Sequence, residues 1–299
     1  MGGYFGALLR RGGLDVHFLL NSDYDFVKAN GLSVKSPNGD FHLPDVKAYR
    51  NAAEMPECDV TLITLKTTAN GILKDVLPHT VKADGFAVTL QNGIGTEEEM
   101  AELIGAERVA GGVCFIGSTK IAPGVIRHSD YGQITLGDFR ADGKPSGVTP
   151  RIERLGGVMK SVGIDIVFSD DLPLARWKKL CWNIPFNGTS VVKNALTDEL
   201  VRNPELRALC RTLMQEVADA SAACARPIEP EFLDKMMAYT ELMTPYAPSM
   251  RVDFDRGRKM EIESIYGNPV RAAKAAGAAM PETEKLYHQL KALEEHYAG

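Results

Sequence analysis

"MGGYFGALLRRGGLDVHFLL" (residues 1–20) decides how the rest of the chain is read. Gly2, Gly3 and Gly6 crowd the start of a helix covered by Tyr4, Phe5, Leu8 and Leu9, and "LDVHFLL" (14–20) has the apolar density of a strand. A glycine-rich helix start feeding a strand is the second half of a dinucleotide-binding βαβ unit. In such a unit a strand and two earlier glycines come first. The early glycines let backbone N–H groups approach a pyrophosphate, and the third lets helix and strand pack closely. Gly2 takes the place of the third glycine. The first strand and its glycines are therefore expected upstream of Met1. The leading account is a start assigned too far downstream, with a shortened chain or a natural variant of weakened cofactor binding as the alternatives.

Working outward, Asn30-Gly31 reads as a helix C-cap, and Asn38-Gly39 lies between two strand-like stretches as a hairpin signal. "CDVTLITLK" (58–66) and "GFAVTLQNG" (85–93) are continuous β-branched runs, as expected of parallel strands buried on both faces. Thr96 and Glu99 have the spacing of a capping box. Residues 107–139 are β-rich with glycine turns, and a helix (151–162) and a last strand (163–170) follow. Strands alternating with helices predict a doubly wound, mostly parallel sheet. After Asp170 the apolar spacing turns helical throughout. Two domains are expected: residues 1–169, a dinucleotide-binding α/β domain, and residues 170–299, an all-helical domain that binds substrate and carries the catalytic groups.

Composition narrows the function classes. A net charge of −5 over 299 residues gives no basic footprint for nucleic acid. No apolar run approaches the roughly 20 residues of a membrane span, and no signal-peptide core is evident. The five cysteines are scattered, with no CxxC pair and no His at metal-ligand spacing, so buried thiols in a reducing cytoplasm are expected and no metal. The oligomeric state is not legible in the sequence, and a homodimer stays an open reading.

Ligands of open α/β sheets sit at the carboxyl ends of strands. Here those ends read "LLNSD" (19–23), "TLKTT" (64–68) and "LQNG" (90–93). Asn21-Ser22 stand where an NAD site usually has a carboxylate for the ribose 2′-hydroxyl. In "RWKKLCWNIPFN" (176–187), Lys179, Asn183 and Asn187 recur at i, i+4 and i+8, a polar seam among Trp177, Leu180, Cys181 and Ile184. Such a seam lines a polar pocket better than it fills a core. Pro185 predicts a kink. In "PSMRVDFDRGRKMEIESIYG" (248–267), Ser249 and Asp253 share a face, whereas Ser249 and Glu261 reach one pocket only if the helix breaks near Gly257.

Taken together, "GGYFGALL" (2–9), "TLK" (64–66), "QNGIGTEEE" (91–99), "RWKKLCWNIPFN", "PSMRVDF" (248–254) and "EIESIYG" (261–267) resemble the ketopantoate reductase (2-dehydropantoate 2-reductase) family over essentially the whole chain. The resemblance implies a Rossmann domain followed by a helical domain like that of 6-phosphogluconate dehydrogenase, with the active site between them. It implies NADPH-dependent reduction of ketopantoate to pantoate, on the route to pantothenate and coenzyme A. By the resemblance, Lys179 is the general acid, Glu261 an acid of the lysine network, and Asn92 a contact to nicotinamide and substrate. Asn183, Asn187 and Ser249 bind substrate, and Gly2, Gly3, Asn21, Ser22 and Lys66 bind the cofactor. The family commonly has arginine where this chain has Asn21, which leaves NADPH against NADH open. Reduction of another small branched 2-oxoacid, and a non-catalytic dinucleotide-binding paralogue, are the competing readings.

Overall fold

The computed structural model describes residues 1–296. The chain folds into two compact units: one of residues 1–91 and 97–172, the other of residues 92–96 and 173 onward. Asn92–Thr96, placed by the sequence reading within the first segment, thus packs with the second.

The first unit opens with α1 (Gly2–Arg11), β1 (His17–Leu19), α2 (Tyr24–Asn30), β2 (Leu32–Lys35), β3 (Phe41–Leu43), β4 (Lys47–Tyr49) and β5 (Cys58–Ile63). It continues with α3 (Leu73–Thr80), β6 (Val81–Thr89), α4 (Thr96–Ile104), β7 (Val109–Ala122), β8 (Val125–Asp138), α5 (Pro150–Ser161) and β9 (Ile166–Phe168). β1 pairs with β4 as a two-stranded parallel sheet. The other seven strands run β3-β2-β8-β7-β6-β5, with β9 added against β8. Pairing is parallel except for β2/β3 and β7/β8. The exceptions have a local cause. Each pair is joined by a turn too short for a crossover helix, so the chain must double back. Gly39 (φ +106°) and Gly124 (φ +64°) supply the left-handed turn residues.

The crowded glycines of α1 are packing residues. A Cβ on Gly2 would lie 2.3 Å from Thr64 Oγ1, and one on Gly6 would lie 2.6 Å from the Phe18 ring. The pair is spaced i, i+4, so one face of α1 presses its backbone onto the end of β5 and onto β1. The opposite order holds for Tyr4, Phe5, Leu8 and Leu9, whose side chains are buried in the core of this unit.

Among the described residues the second unit is all helical: α6 (Leu172–Asn183), α7 (Thr189–Val192), α8 (Thr197–Arg202), α9 (Pro204–Ala223), α10 (Pro230–Leu242), α11 (Ser249–Asp255), α12 (Asn268–Ala275) and α13 (Pro281–Glu295). Two π-helical turns, Ile184–Gly188 and Glu263–Gly267, interrupt the series. α9 shows how the core forms. Asn203 Oδ1 accepts from the backbone N–H groups of Glu205 and Leu206, Pro204 occupies the first helical position, and Cys210, Leu213, Met214 and Val217 recur on the buried face. Each such leucine contributes about 1.5–3 kcal/mol by burial.

A carboxylate also sits in this core. Glu216 of α9 accepts from the N–H of Glu282 and from both N–H and Oγ1 of Thr283, each at 2.8 Å. It caps the first turn of α13, where donors lack helical partners and the dipole favours negative charge. Glu216→Ala leaves those buried donors unmet and is expected to cost about 2 kcal/mol. Glu216→Gln is expected to cost less, and thermal denaturation of the pair checks the ordering.

All five cysteines are free thiols. Burial pushes Cys181 and Cys210 up to about 12, so both stay protonated and unreactive. No helix among the described residues is long and apolar enough to cross a membrane.

Candidate active site

α6 buries Trp177, Leu180 and Cys181 and leaves Lys179 half-buried. The Lys179 ammonium donates to Asn92 Oδ1 at 2.7 Å. The Asn92 Nδ2 group in turn donates to Glu261 Oε2 at 3.1 Å. Residues 87 and 169 positions apart are thereby joined in one chain of hydrogen bonds. Only one amide orientation works: reversing Asn92 would face NH2 against an ammonium and carbonyl against a carboxylate. Glu261 is 4% exposed. Burying a carboxylate is costly unless it is hydrogen-bonded, and the Asn92 donor backed by the Lys179 charge offsets that cost.

The loop that delivers Asn92 is clamped to the second π-helical turn. Ile94 N–H donates to Ser264 O at 3.0 Å, and Asn268 Nδ2 donates to Ile94 O at 2.7 Å. Gly93 (φ +88°) lies so close that a Cβ would sit 2.2 Å from Ser264 O. This accounts for "NGIG": both glycines take positive φ, and the first admits a backbone-to-backbone contact. The polar end of "LQNG" was legible in the sequence, but the purpose of its glycine was not. Gln91 has a separate role in the first unit, where its Nε2 bonds Leu65 O (3.0 Å) and Asn70 Oδ1 (2.6 Å), tying together the ends of β5 and β6.

At Pro185, where a kink was expected, the structure has a π-helical turn, Ile184–Gly188. A proline has no N–H for the i→i−4 bond, and widening to i→i+5 accommodates its ring. Tyr266, fully buried in the other π-helical turn, donates its hydroxyl to Ile184 O at 2.9 Å and lies 3.5 Å from Asn183 O. Burial raises its pKa, so the hydroxyl remains a donor. Gly188 makes room for it, since a Cβ there would meet Tyr266 Oη at 2.5 Å. The sequence reading missed Tyr266. Its only signal was a large polar-tipped aromatic in an otherwise apolar "SIYG". Tyr266→Phe is expected to cost about 1 kcal/mol by removing a buried hydrogen bond, read as a lower denaturant midpoint.

Asn183 and Asn187 are buried. Asn187 Oδ1 accepts from Met250 N–H at 3.2 Å, seating the start of α11 and with it Ser249, which is half-buried. Arg251 pins the same helix to Ser190 O (3.0 Å) and Asn194 Oδ1 (2.6 Å). The expected break occurs: α11 stops at Asp255 and Gly257 turns the chain at φ +59°. Asp253, on the Ser249 face, is buried against Arg258 at 2.9 Å.

The remaining candidates lie in the first unit. Gly2 packs on Thr64, two residues before Lys66, and Gly3 packs on Ile126. Lys66 is half-buried and starts the 3-10 turn Thr67–Ile72. Asn21 and Ser22 are exposed just past β1. Ser22 Oγ accepts from Lys120 Nζ at 3.1 Å, a partner 98 positions away that the sequence reading missed. Amide, hydroxyl and ammonium groups at these strand ends form a donor set that fits an anionic dinucleotide. Among the described residues no cluster of His, Cys, Asp and Glu could hold a metal ion.

A family model described as ketopantoate reductase PanE/ApbA matches residues 1–141, and its C-terminal counterpart matches residues 171–294. A 2-dehydropantoate 2-reductase of Nostoc sp. is 47% identical over 294 residues, covering 98% of this chain and 92% of that protein. The crystal structure of 2-dehydropantoate 2-reductase from Geobacter metallireducens GS-15 matches with a TM-score of 0.92 at 42% identity, covering 97% of this chain and 96% of that one. The enzyme of that name from Methylococcus capsulatus matches at 0.90 and 35% identity, covering 100% and 95%.

Proposed function

Because the chain belongs to the ketopantoate reductase family, we propose that it catalyses the NADPH-dependent reduction of 2-dehydropantoate to pantoate in the cytoplasm, with Lys179 as general acid. The observation that carries this reading is the Lys179–Asn92–Glu261 chain of hydrogen bonds. When bound, the cofactor supplies a hydride to the keto carbon. That transfer puts negative charge on the keto oxygen. The Lys179 ammonium stabilises it by hydrogen bonding and then gives up a proton, completing the secondary alcohol. The resulting neutral amine regains its proton from solvent.

Asn92 and Glu261 are proposed as the parts that keep the ammonium aimed. Asn92 takes one of its three donors, and Glu261 fixes the amide of Asn92, so the lysine spends less entropy in reaching the oxygen. Asn183, Asn187 and Ser249 supply neutral hydrogen-bonding groups for the substrate hydroxyl and carboxylate. Asn187, whose Oδ1 is occupied by Met250 N–H, offers its Nδ2 side. Gly2, Gly3, Asn21, Ser22 and Lys66 are assigned to the dinucleotide, the lysine to its phosphates. The test is ketopantoate-dependent oxidation of NADPH followed by absorbance. Turnover with ketopantoate supports the reading. A folded chain that binds NADPH but turns over only another branched 2-oxoacid would move the substrate assignment.

A further inference from the structure

We propose that Lys120, reaching from the β7–β8 hairpin, is the residue that selects the 2′-phosphate of NADPH. The inference rests on the cofactor reading above and deepens it. The residue class that follows the second strand of a dinucleotide fold decides the coenzyme: a carboxylate there accepts from a ribose diol, whereas a nearby cation takes up a 2′-phosphate. This chain places Asn21, Ser22 and Asp23 at that point, with an acid present and no arginine among the three.

The structure changes the meaning of that acid. Asp23 Oδ2 accepts from Gly124 N–H at 3.3 Å, and its Oδ1 accepts from Lys120 Nζ at 2.6 Å. Its side chain is only 13% exposed. The carboxylate is thus turned onto the hairpin and its charge is paired. What the strand end presents outward is the Lys120 ammonium, itself 47% exposed and 3.1 Å from Ser22 Oγ. The Ser22 hydroxyl donates to Asp23 Oδ1 at 3.3 Å, so the ammonium is the phosphate donor here, and with three donors it can keep Asp23 while engaging a phosphate. Asp23 in this arrangement shares the Lys120 charge and competes with a phosphate for it. Arg50, just past β4, which pairs with β1, is committed to α2: it pairs with Asp25 at 2.5 Å and lies over the Tyr24 ring at 4.8 Å.

The experiment is a direct titration of the whole chain with NADPH and with NADH, read by nicotinamide fluorescence without substrate. The wild-type chain is expected to prefer NADPH. Lys120→Ala is expected to weaken NADPH about 10–100-fold, the loss of one charge-assisted contact, while NADH changes by less than about twofold, within the noise of surface substitutions. Lys120→Arg restores the preference. Asp23→Asn, which keeps an acceptor for Gly124 and removes the competing charge, binds NADPH at least as tightly as wild type. Equal weakening of both coenzymes by Lys120→Ala would reduce the lysine to a structural ion pair and overturn the proposal. So would a loss of preference in Arg50→Ala with none in Lys120→Ala, or a wild-type chain that does not distinguish the coenzymes. The last result leaves the reductase reading standing, whereas a wild-type chain that binds neither coenzyme overturns that reading as well.

Discussion

Lys179→Ala is expected to lower kcat for 2-oxoacid reduction by about 10²–10⁴-fold, the usual contribution of a positioned general acid, while NADPH affinity stays near the wild-type value. The split follows from placement. Lys179 bonds Asn92 at 2.7 Å within the second unit, whereas Asn21, Ser22 and Lys66 belong to the first. On the proposed assignment, removing the ammonium deletes a group used as charge develops on oxygen and leaves the residues assigned to the dinucleotide in place. It also strips Asn92 of the cation it accepts from, so Glu261 loses part of what offsets its burial. Steady-state kinetics beside a coenzyme titration check the prediction. Equal losses in kcat and in NADPH binding would remove Lys179 from the chemical step.

Gly93→Ala carries the second large effect. The position is strained for any L side chain at φ +88°, and the new Cβ would meet Ser264 O at 2.2 Å. The obstacle is backbone, so rotating a side chain gives no relief. The loop has to lift from the π-helical turn, breaking the Ile94–Ser264 hydrogen bond and moving Asn92 off Lys179 and Glu261. Strain of this kind costs about 1–3 kcal/mol, and a catalytic group displaced by about 1 Å loses about 10²-fold in rate. Gly71→Ala is the control, since a Cβ there meets nothing and its φ is ordinary. A lowered Tm together with reduced kcat in Gly93→Ala, and neither in Gly71→Ala, is the expected outcome. Wild-type kinetics in Gly93→Ala would show that the clamp does not place Asn92.

Several features were legible because their causes are local. The β-branched runs at 58–66 and 85–93 became the parallel pair β5/β6, but β5 stands at the end of the strand order and is mostly half-buried, not buried on both faces as its apolar run suggested. Asn38-Gly39 became the β2/β3 turn, and Asn30-Gly31 ended α2 with Gly31 at φ +74°. Thr96 turned out to begin α4 itself, and the Glu99 carboxylate bonds Asn70. The capping-box pattern thus located the helix but not the partner of its glutamate. Pro185 was legible as a disturbance, but not that the π-helical turn around it meets Tyr266, more than eighty residues away, whose hydroxyl donates to Ile184 O.

By itself, then, the sequence determined the succession of strands and helices, the switch to an all-helical second half, and the residue types available for chemistry. Each of these depends on hydrophobic period and turn chemistry within a few neighbours. Only the tertiary structure decided that Asn92 leaves the strand it follows and packs with the second unit, that it stands between Lys179 and Glu261, and that Asp23 spends its charge on Lys120. Those pairings join residues 87 to 169 positions apart. Nothing in local periodicity encodes them. They exist because the packed backbone brings each donor within about 3 Å of its acceptor, where a buried polar group must be met or its desolvation goes unrepaid.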